Sequence, residues 1–194
     1  MSQQKETERV REIFNASAAH YDRAIAFSEK LFFGDGRAWA CSQARGQVLE
    51  IAIGTGRNLP FYPADVEITG VEISPAMLEI AYQRVQSLGR QVELVVGDAQ
   101  ALPFPDQRFD TVVCTISLCS IPDERQAIAE VRRVLRPGGC FVALEHVRSP
   151  NSIIRGDLSA CSNPSRCVLR QITCYVSQQK PCRRQVPTSN ISNG

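Results

Sequence analysis

The chain lacks several features that mark common classes of protein. It has eight cysteines, but no two are spaced as C-x-x-C, so neither a zinc ribbon nor a thioredoxin-type motif is predicted. It has only two histidines, His20 and His146, and no metal site is predicted. No apolar run approaches the ~18 residues of a membrane span. The first residues are polar and lack the apolar segment of a secretion signal. We therefore expect a cytoplasmic protein.

A net positive charge is absent outside the C-terminal part of the chain. The 194 residues carry a net charge of +2. Residues 151–194 contain five arginines and one lysine against one acid, Asp157, a net charge of +5, which leaves −3 for residues 1–150. Nucleic-acid binding needs a positive surface that follows the phosphates. The acidic body therefore argues against a nucleic-acid partner.

The body of the chain contains a regular alternation of strand and helix patterns. Strands are predicted at residues 47–53, 66–72, 91–96, 109–118 and 140–147. Helices are predicted to begin at Ser74 and Asp123, and Gly89 is predicted to end the first of them. Apolar strands separated by helices predict a Rossmann-like, doubly wound α/β fold, with a mostly parallel sheet and helices on both faces.

The regions on either side differ from this alternation. Residues 5–14 and 25–33 carry apolar residues at helical spacing, and a short helix is predicted near 37–43, so residues 1–46 are interpreted as an N-terminal helical cap. Residues 47–150 form the predicted ligand-binding domain. Residues 151–194 are rich in Ser, Asn, Gln and Arg without a sustained period, and are predicted to be irregular or disordered.

Glycines and carboxylates follow the predicted strands, where ligands of such sheets bind. The turn Gly54-Thr55-Gly56 is a bare G-x-G, because Leu59 replaces the third glycine of the dinucleotide fingerprint. Glu50 beside the turn disfavours a phosphate and suits a ligand with an ammonium or sulfonium charge. Glu72 suits a ribose diol, and Asp98 suits the amine of adenine.

Each of these residues also has a simpler interpretation. Glu50 fits a surface position at a sheet edge, Glu72 a solvated strand end, and Asp98 a turn cap. Cys114 is interpreted as a core residue rather than a nucleophile, since no base stands beside it in the sequence. The ligand-binding interpretation of the three carboxylates is favoured over these alternatives because they follow three successive strands.

Five blocks then resemble a known family in order and spacing. They are VLEIAIGTGRNLPFYP, VEISPAML, GDAQALPF, FDTVVCTISLCSI and VRRVLRPGGCFVALEHV. They resemble the motifs of class I S-adenosylmethionine-dependent methyltransferases, in particular the ubiquinone and menaquinone C-methyltransferases and related thiol and phospholipid methyltransferases. The resemblance runs from about residue 13 to residue 150 and then stops. The sheet is therefore expected to lack the family's usual C-terminal strands, and the C-terminal part is interpreted as replaced or truncated.

The resemblance implies S-adenosylmethionine as cofactor and assigns residues to it by position. The first motif would hold the methionine part, the acid after the second strand the ribose, and the pair after the third strand the adenine, with Tyr21 closing over the site. The full set is Tyr21, Glu50, Gly54, Thr55, Gly56, Glu72, Ile73, Met77, Asp98, Ala99 and Thr115. His146 and His20 are the candidates for a general base. Ala52 stands where the family usually has glycine, and its methyl is expected to crowd the backbone at a cost of ~1 kcal/mol.

The predicted function is methyl transfer from S-adenosylmethionine to a small, apolar acceptor. A first rival is a non-catalytic cofactor-binding protein with an incomplete fold. A second is a nicotinamide-dependent oxidoreductase, disfavoured by the missing third glycine and by Glu50. Peripheral contact with a membrane is compatible with the sequence, and no oligomeric state is predicted.

Overall fold

The computed structural model describes residues 3–145 and 171–176. The helices are α1 (Gln3–Phe33), α2 (Gly36–Ser42), α3 (Pro75–Leu88) and α4 (Glu124–Val134). The strands are β1 (Gln47–Ile51), β2 (Glu67–Glu72), β3 (Val92–Val96), β4 (Phe109–Thr115), β5 (Leu135–Glu145) and β6 (Gln171–Val176). Two short 3₁₀ turns cover Leu59–Phe61 and Leu118–Ser120.

The strands form one sheet in the order β3-β2-β1-β4-β5-β6. Strands β1 to β5 pair in parallel, and β6 pairs antiparallel with β5. The chain moves outward from β1 to β3 and then returns to place β4 on the other side of β1. This reversal makes the carboxyl ends of β1 and β4 the switch point where a doubly wound sheet binds its ligand. The predicted α/β fold is confirmed.

The sheet buries apolar side chains on both of its faces. Leu49, Ile51 and Val112 belong to one buried cluster, and Val48 and Val113 belong to the other. Neighbouring residues of a strand point to opposite faces, so β1 and β4 contribute to both clusters. This two-sided burial explains why their sequences are almost continuously apolar.

The predicted helix signals act as expected. Ser74 Oγ accepts a hydrogen bond from the backbone N of Met77 at 3.2 Å, and Pro75 occupies the first helical position of α3. Gly89 ends that helix with φ of 61°, a conformation that costs glycine little. Asp123 caps α4 through the backbone N of Gln126, at 3.0 Å.

The N-terminal region differs from its prediction. The two predicted helices, residues 5–14 and 25–33, are parts of one continuous helix of 31 residues. The connecting residues include Ala18, which is buried, and Asn15 and Asp22, whose side chains bond to the body of the protein. Tertiary contacts thus continue the helix where the apolar period is interrupted.

The structure also differs at the C-terminal side of the sheet. Strand β5 begins at Leu135, directly after α4, rather than at residue 140. Within residues 151–194, predicted to be irregular, Gln171–Val176 forms β6 and pairs with β5 from Cys140 to Glu145. The rest of that predicted tail, and His146, lie outside the described residues. No helix in the described ranges is long and apolar enough to cross a membrane.

Candidate functional site

The glycine turn after β1 is shaped by its backbone conformation. Gly54 and Gly56 have φ of 57° and 76°, in the left-handed region that favours glycine. A Cβ on Gly56 would lie 2.7 Å from Leu59 Cδ1, so this position also needs glycine for space. Thr55 is buried between them and donates its hydroxyl to Asp22 Oδ1 on α1, at 2.7 Å. The turn is therefore a tight loop with α1 packed against it.

Glu72 connects this turn to the start of α3. Its Oε2 accepts from the backbone N of Gly54 at 2.9 Å, and its Oε1 accepts from the backbone N of Ser74 at 2.9 Å. The residue is 5% exposed, and burial raises the pKa of its carboxyl despite these backbone donors. The interpretation as a solvated strand end is therefore wrong, because Glu72 ties together the ends of β1 and β2.

Asp98 makes its bonds within the loop after β3. Its Oδ1 accepts from the backbone N of Gln100 at 2.9 Å, and both carboxylate oxygens accept from Gln100 Nε2 at 3.0 Å. Gln100 also donates to Thr7 Oγ1 on α1 at 3.1 Å and accepts from the backbone N of Asp123 at 2.9 Å. Asp98 thus caps a turn, and Gln100 links that turn to α1 and α4.

Glu50 lies beneath the turn rather than on a surface. Its two oxygens accept from Asn58 Nδ2 and from the Tyr62 hydroxyl, both at 2.8 Å. The residue is 2% exposed, and burial raises the pKa of its carboxyl to about 7, against the lowering effect of Tyr62, Arg37 and Asn58. The interpretation as a surface residue is wrong. In this structure Glu50 supports the turn through Asn58.

Arg37 joins the N-terminal helices to the switch point. Its Nη1 donates to Thr115 Oγ1 at the end of β4, at 2.7 Å, and to Asn58 Oδ1 at 2.9 Å. Its Nη2 donates to Glu29 Oε2 on α1 at 3.1 Å, and its Nε also bonds to Glu29. One guanidinium therefore holds α1, the turn after β1 and the end of β4 together.

The end of β4 is a strained turn held by Glu145. Ile116 has φ of 56°, which is unfavourable for a β-branched residue and is typical of functional sites. Glu145 Oε1, at the end of β5, accepts from the backbone N of Ser117 at 2.9 Å and of Leu118 at 3.0 Å. Burial raises the pKa of the Glu145 carboxyl. Glu145 thereby fixes the loop that follows Thr115.

Helix α1 lies across the carboxyl ends of the strands. Asn15 Oδ1 accepts from Ser74 Oγ at 2.6 Å, and Asp22 pairs with Arg84 on α3 at 2.5 Å. Tyr21 is partly buried on this helix, packs edge-on against Phe14 at 6.2 Å between ring centroids, and has its pKa raised by burial. Helix α1 therefore forms a cover over the site.

The remaining predicted residues divide into two groups. Met77 and Ala99 are buried, and Ile73 is partly buried, near the ends of β2 and β3. His20 is exposed, and its Nδ1 lies 3.0 Å from Arg23 Nη2 on the same helix. Its role as a general base stays a prediction.

Cys114 is fully buried and donates to Glu145 Oε1 at 3.6 Å. Burial raises the pKa of its thiol well above the usual value. This is a core thiol, as the sequence indicated, because an un-ionised buried thiol is a poor nucleophile.

Sequence reasoning missed several residues that the fold brings to the site. Asp22 directly follows Tyr21, and Asn58 lies shortly after the glycine turn, so each is close in sequence to a residue that the motifs already indicated. Arg37, Glu29 and Gln100 had no local signal, since each acts through a partner on another element.

The fold defines a Rossmann-like α/β domain whose candidate ligand site lies at the carboxyl ends of β1, β2 and β4. Residues 48–139 match the family model described as a methyltransferase domain. This part of the chain is a class I S-adenosylmethionine-dependent methyltransferase domain, and S-adenosylmethionine is the cofactor that the family and the fold imply.

Similar proteins have related names. The chain is 40% identical over 103 residues to a phosphatidylethanolamine N-methyltransferase of Cereibacter sphaeroides, covering 52% of this chain and 51% of the relative. It is 35% identical over 146 residues to a demethylmenaquinone methyltransferase of Deinococcus radiodurans, covering 70% of this chain and 59% of the relative. The crystal structure of the YcgJ protein of Bacillus subtilis superposes with a TM-score of 0.55 at 31% identity, covering 63% of this chain and 53% of that chain. The chain spans about half to two thirds of the length of the first curated relatives it matches.

The residues present fit the implied cofactor. The glycine turn leaves open space at Gly54, where an added Cβ would find its nearest neighbour, Ala52 O, 4.0 Å away. Glu72 accepts a backbone hydrogen bond on each oxygen, from Gly54 and Ser74, and the backbone N of Ile73 is a third donor. Because a carboxylate has about four acceptor positions, Glu72 retains capacity for a ribose hydroxyl.

Proposed function

We propose that this protein is a methyltransferase that transfers the methyl group of S-adenosylmethionine to a small, apolar acceptor. The observation that carries the proposal is the joining of the glycine turn to the end of β2 by the buried Glu72, at the switch point of a domain of this family. Such a turn suits a ligand with hydroxyl donors and a positive centre better than it suits a pyrophosphate.

The proposed cofactor site consists of the residues assigned by position. Glu72 would bind the ribose, Ile73, Met77, Asp98 and Ala99 the adenine, and Gly54, Thr55 and Gly56 the methionine part. Tyr21 would lie over the cofactor, and Thr115 beside the transferred methyl. Glu50 is proposed to support the methionine part of the site from beneath the glycine turn, since both of its oxygens already accept hydrogen bonds.

The bound cofactor would supply the electrophilic methyl group on its sulfonium. The protein's part is to align the acceptor and to exclude water, and orientation of this kind accounts for much of the rate in such reactions. Helix α1 covers the strand ends and would exclude water. The loop after Thr115, fixed by Glu145, would orient the acceptor. His146 stays a proposed base for an acceptor that must lose a proton.

The acceptor is proposed to be apolar because the named relatives act on such molecules. One is named for phosphatidylethanolamine and another for demethylmenaquinone. Both names describe molecules with long apolar tails. For this chain we propose only the class, an apolar acceptor, and neither of the two named molecules.

Binding of S-adenosylhomocysteine by calorimetry tests the cofactor site. We expect Glu72→Gln and Asp98→Asn each to weaken binding by ~1–3 kcal/mol, since each removes an acceptor for a ligand donor. Glu67→Gln, at the exposed opposite end of β2, is the matched control and should leave the affinity unchanged. Unchanged affinity in both site variants would contradict the proposed site.

The two rival functions give different outcomes in the same preparation. A non-catalytic protein would bind the cofactor but would transfer no methyl group to any apolar acceptor, including quinols and phospholipids. A nicotinamide-dependent enzyme would change the absorbance of NADH with a substrate and would bind S-adenosylhomocysteine weakly. Methyl transfer to one member of the panel would exclude both.

We also propose that the protein works in the cytoplasm and contacts a membrane surface from there. Phe27 and Leu31, one turn apart on α1, are 80% and 65% exposed. Arg23 lies one turn before Phe27 and is also exposed. An apolar stripe beside a basic residue suits the interface of an anionic bilayer, where an apolar acceptor would be held. Sedimentation with lipid vesicles tests this contact, and fractionation of cells tests the location.

A further inference from the structure

Two arginines at the switch point bind one carboxylate of the protein itself. Glu29 Oε2 accepts from Arg37 Nη2 and from Arg57 Nε, both at 3.1 Å, and Glu29 Oε1 accepts from Arg37 Nε. The three side chains are 11% (Arg37), 24% (Arg57) and 12% (Glu29) exposed. A fork of this kind is the geometry that arginine uses to recognise carboxylates.

Arginines and carboxylates of this group are paired with each other, and the buried Glu50 also acts on Arg37 through its charge. Arg37, Arg57 and Arg84 face the two carboxylates Glu29 and Asp22, with Asp22 shared between Arg57 at 3.5 Å and Arg84 at 2.5 Å. Burial by itself would raise the pKa of Glu29, but hydrogen bonds and charge from Arg37 and Arg57 outweigh it and leave the pKa lowered. Glu29 is therefore an anion at neutral pH, held by the two arginines.

The arginine pair also lies beside the proposed cofactor site. Arg57 directly follows Gly56 of the glycine turn, and Arg37 contacts Thr115 at the end of β4. Glu29, by contrast, belongs to the covering helix α1. Arg57 lies in the turn after β1 and Arg37 lies on α2, whereas Glu29, the carboxylate that they bind in this structure, lies on the covering helix α1.

Resting on the proposed function, we propose that Arg37 and Arg57 form the binding site for the α-carboxylate of the cofactor, and that Glu29 occupies this site until the ligand displaces it. The two anions compete because two carboxylates on the same guanidinium groups repel each other. Glu29 would leave the arginines by a change of its side-chain rotamer. Asn15 and Asp22 continue to hold the rest of α1 on the body.

The experiment compares two ligands that differ in the amino-acid part. S-Adenosylhomocysteine carries the α-carboxylate, whereas 5′-methylthioadenosine has the same adenosine and thioether without it. Affinities are measured by calorimetry on the full chain, with thermal unfolding to check that each variant is folded. Glu8→Gln, in an exposed ion pair with Arg11 on the same helix, is the matched control.

We expect Glu29→Gln to bind S-adenosylhomocysteine about threefold to tenfold more tightly, because the competing charge is gone, with no change for 5′-methylthioadenosine. Arg57→Gln should weaken S-adenosylhomocysteine binding by about tenfold or more and leave 5′-methylthioadenosine unchanged. The control variant should match the wild type for both ligands.

Four outcomes would overturn the proposal. Equal or weaker S-adenosylhomocysteine binding by Glu29→Gln would show that Glu29 does not compete. A gain of the same size for both ligands would mean that the variant merely loosens α1. If the wild type binds neither ligand, the proposed function fails and this inference fails with it. If the wild type binds both ligands and no variant changes the affinity for one relative to the other, this inference alone fails.

Discussion

Ala52 and Glu50 are the residues of the first motif whose behaviour differs most from expectation. Ala52 was expected to crowd the backbone where the family has glycine. The structure gives a more specific reason, because Ala52 has φ of 51°. A residue with a Cβ pays roughly 1–2 kcal/mol in this left-handed region. The cost therefore comes from the backbone conformation of Ala52 itself.

We predict that Ala52→Gly stabilises the protein by about 0.5–1 kcal/mol. Relief of the left-handed strain is partly offset by the greater freedom of glycine in the unfolded chain. Urea unfolding measures the change. Ala129→Gly is the control, since Ala129 is exposed within α4 and the same substitution there should destabilise by about 1 kcal/mol. A loss of stability in Ala52→Gly would show that the methyl group makes contacts that outweigh the strain.

Glu50 makes stability depend on pH. Burial raises its pKa from 4.5 to about 7. Between these two pH values the folded protein keeps a proton on Glu50 that the unfolded chain has released. The free energy of unfolding contributed by this group therefore falls as pH rises from 4.5 to 7.

Glu50→Gln should remove this dependence. We expect the free energy of unfolding of the variant, relative to that of the wild type, to be about 1–3 kcal/mol larger at pH 8 than at pH 5. Unfolding curves at the two pH values measure it, with the exposed Glu79→Gln on α3 as the control. A constant difference between variant and wild type at both pH values would rule out the shifted ionisation.

At the scale of elements, α1 is held by polar side chains at regular spacing. Thr7, Asn15 and Asp22 contact the segments that follow β3, β2 and β1. Glu29 contacts Arg37 on α2. Intervals of seven or eight residues place them on one face of the helix. This face is polar, so a search for apolar periodicity finds two short helices instead of one.

We predict that Asp22→Asn loosens α1 without unfolding the sheet. The substitution removes the charge that pairs with Arg84 and Arg57. Hydrogen–deuterium exchange should become about tenfold faster in α1, through local opening, and stay unchanged in β1 and β4. The control Glu8→Gln lies in an exposed pair and should exchange as the wild type does. Faster exchange throughout the sheet would mean that α1 is part of the global folding unit.

At the scale of the whole molecule, the exposed stripe on α1 places the proposed membrane contact on the cover of the site. The double variant Phe27→Ser/Leu31→Ser should sediment with anionic vesicles at least threefold less than the wild type, since each side chain would contribute up to about 1.5–3 kcal/mol when buried in lipid. Leu88→Ser at the end of α3, also an exposed leucine, is the control and should behave as the wild type. Equal sedimentation of all three proteins would exclude this surface as the contact.

The sequence by itself determined the parallel α/β fold, the caps of α3 and α4, and the glycine turn. These features depend on local signals: apolar runs in β1 and β4, Ser74-Pro75, Gly89, and the spacing of Gly54 and Gly56. Such signals act within one element or between adjacent ones, so they can be read in order along the chain.

Only the tertiary structure decided what the charged residues do. Glu50 and Glu72 are buried acceptors rather than surface groups, Arg37 joins three elements, and Gln171–Val176 adds an antiparallel strand to β5. Arg37 is 78 residues from Thr115 and 21 from Asn58. No local pattern encodes such pairs, because each hydrogen bond forms only after the sheet has brought the strand ends together.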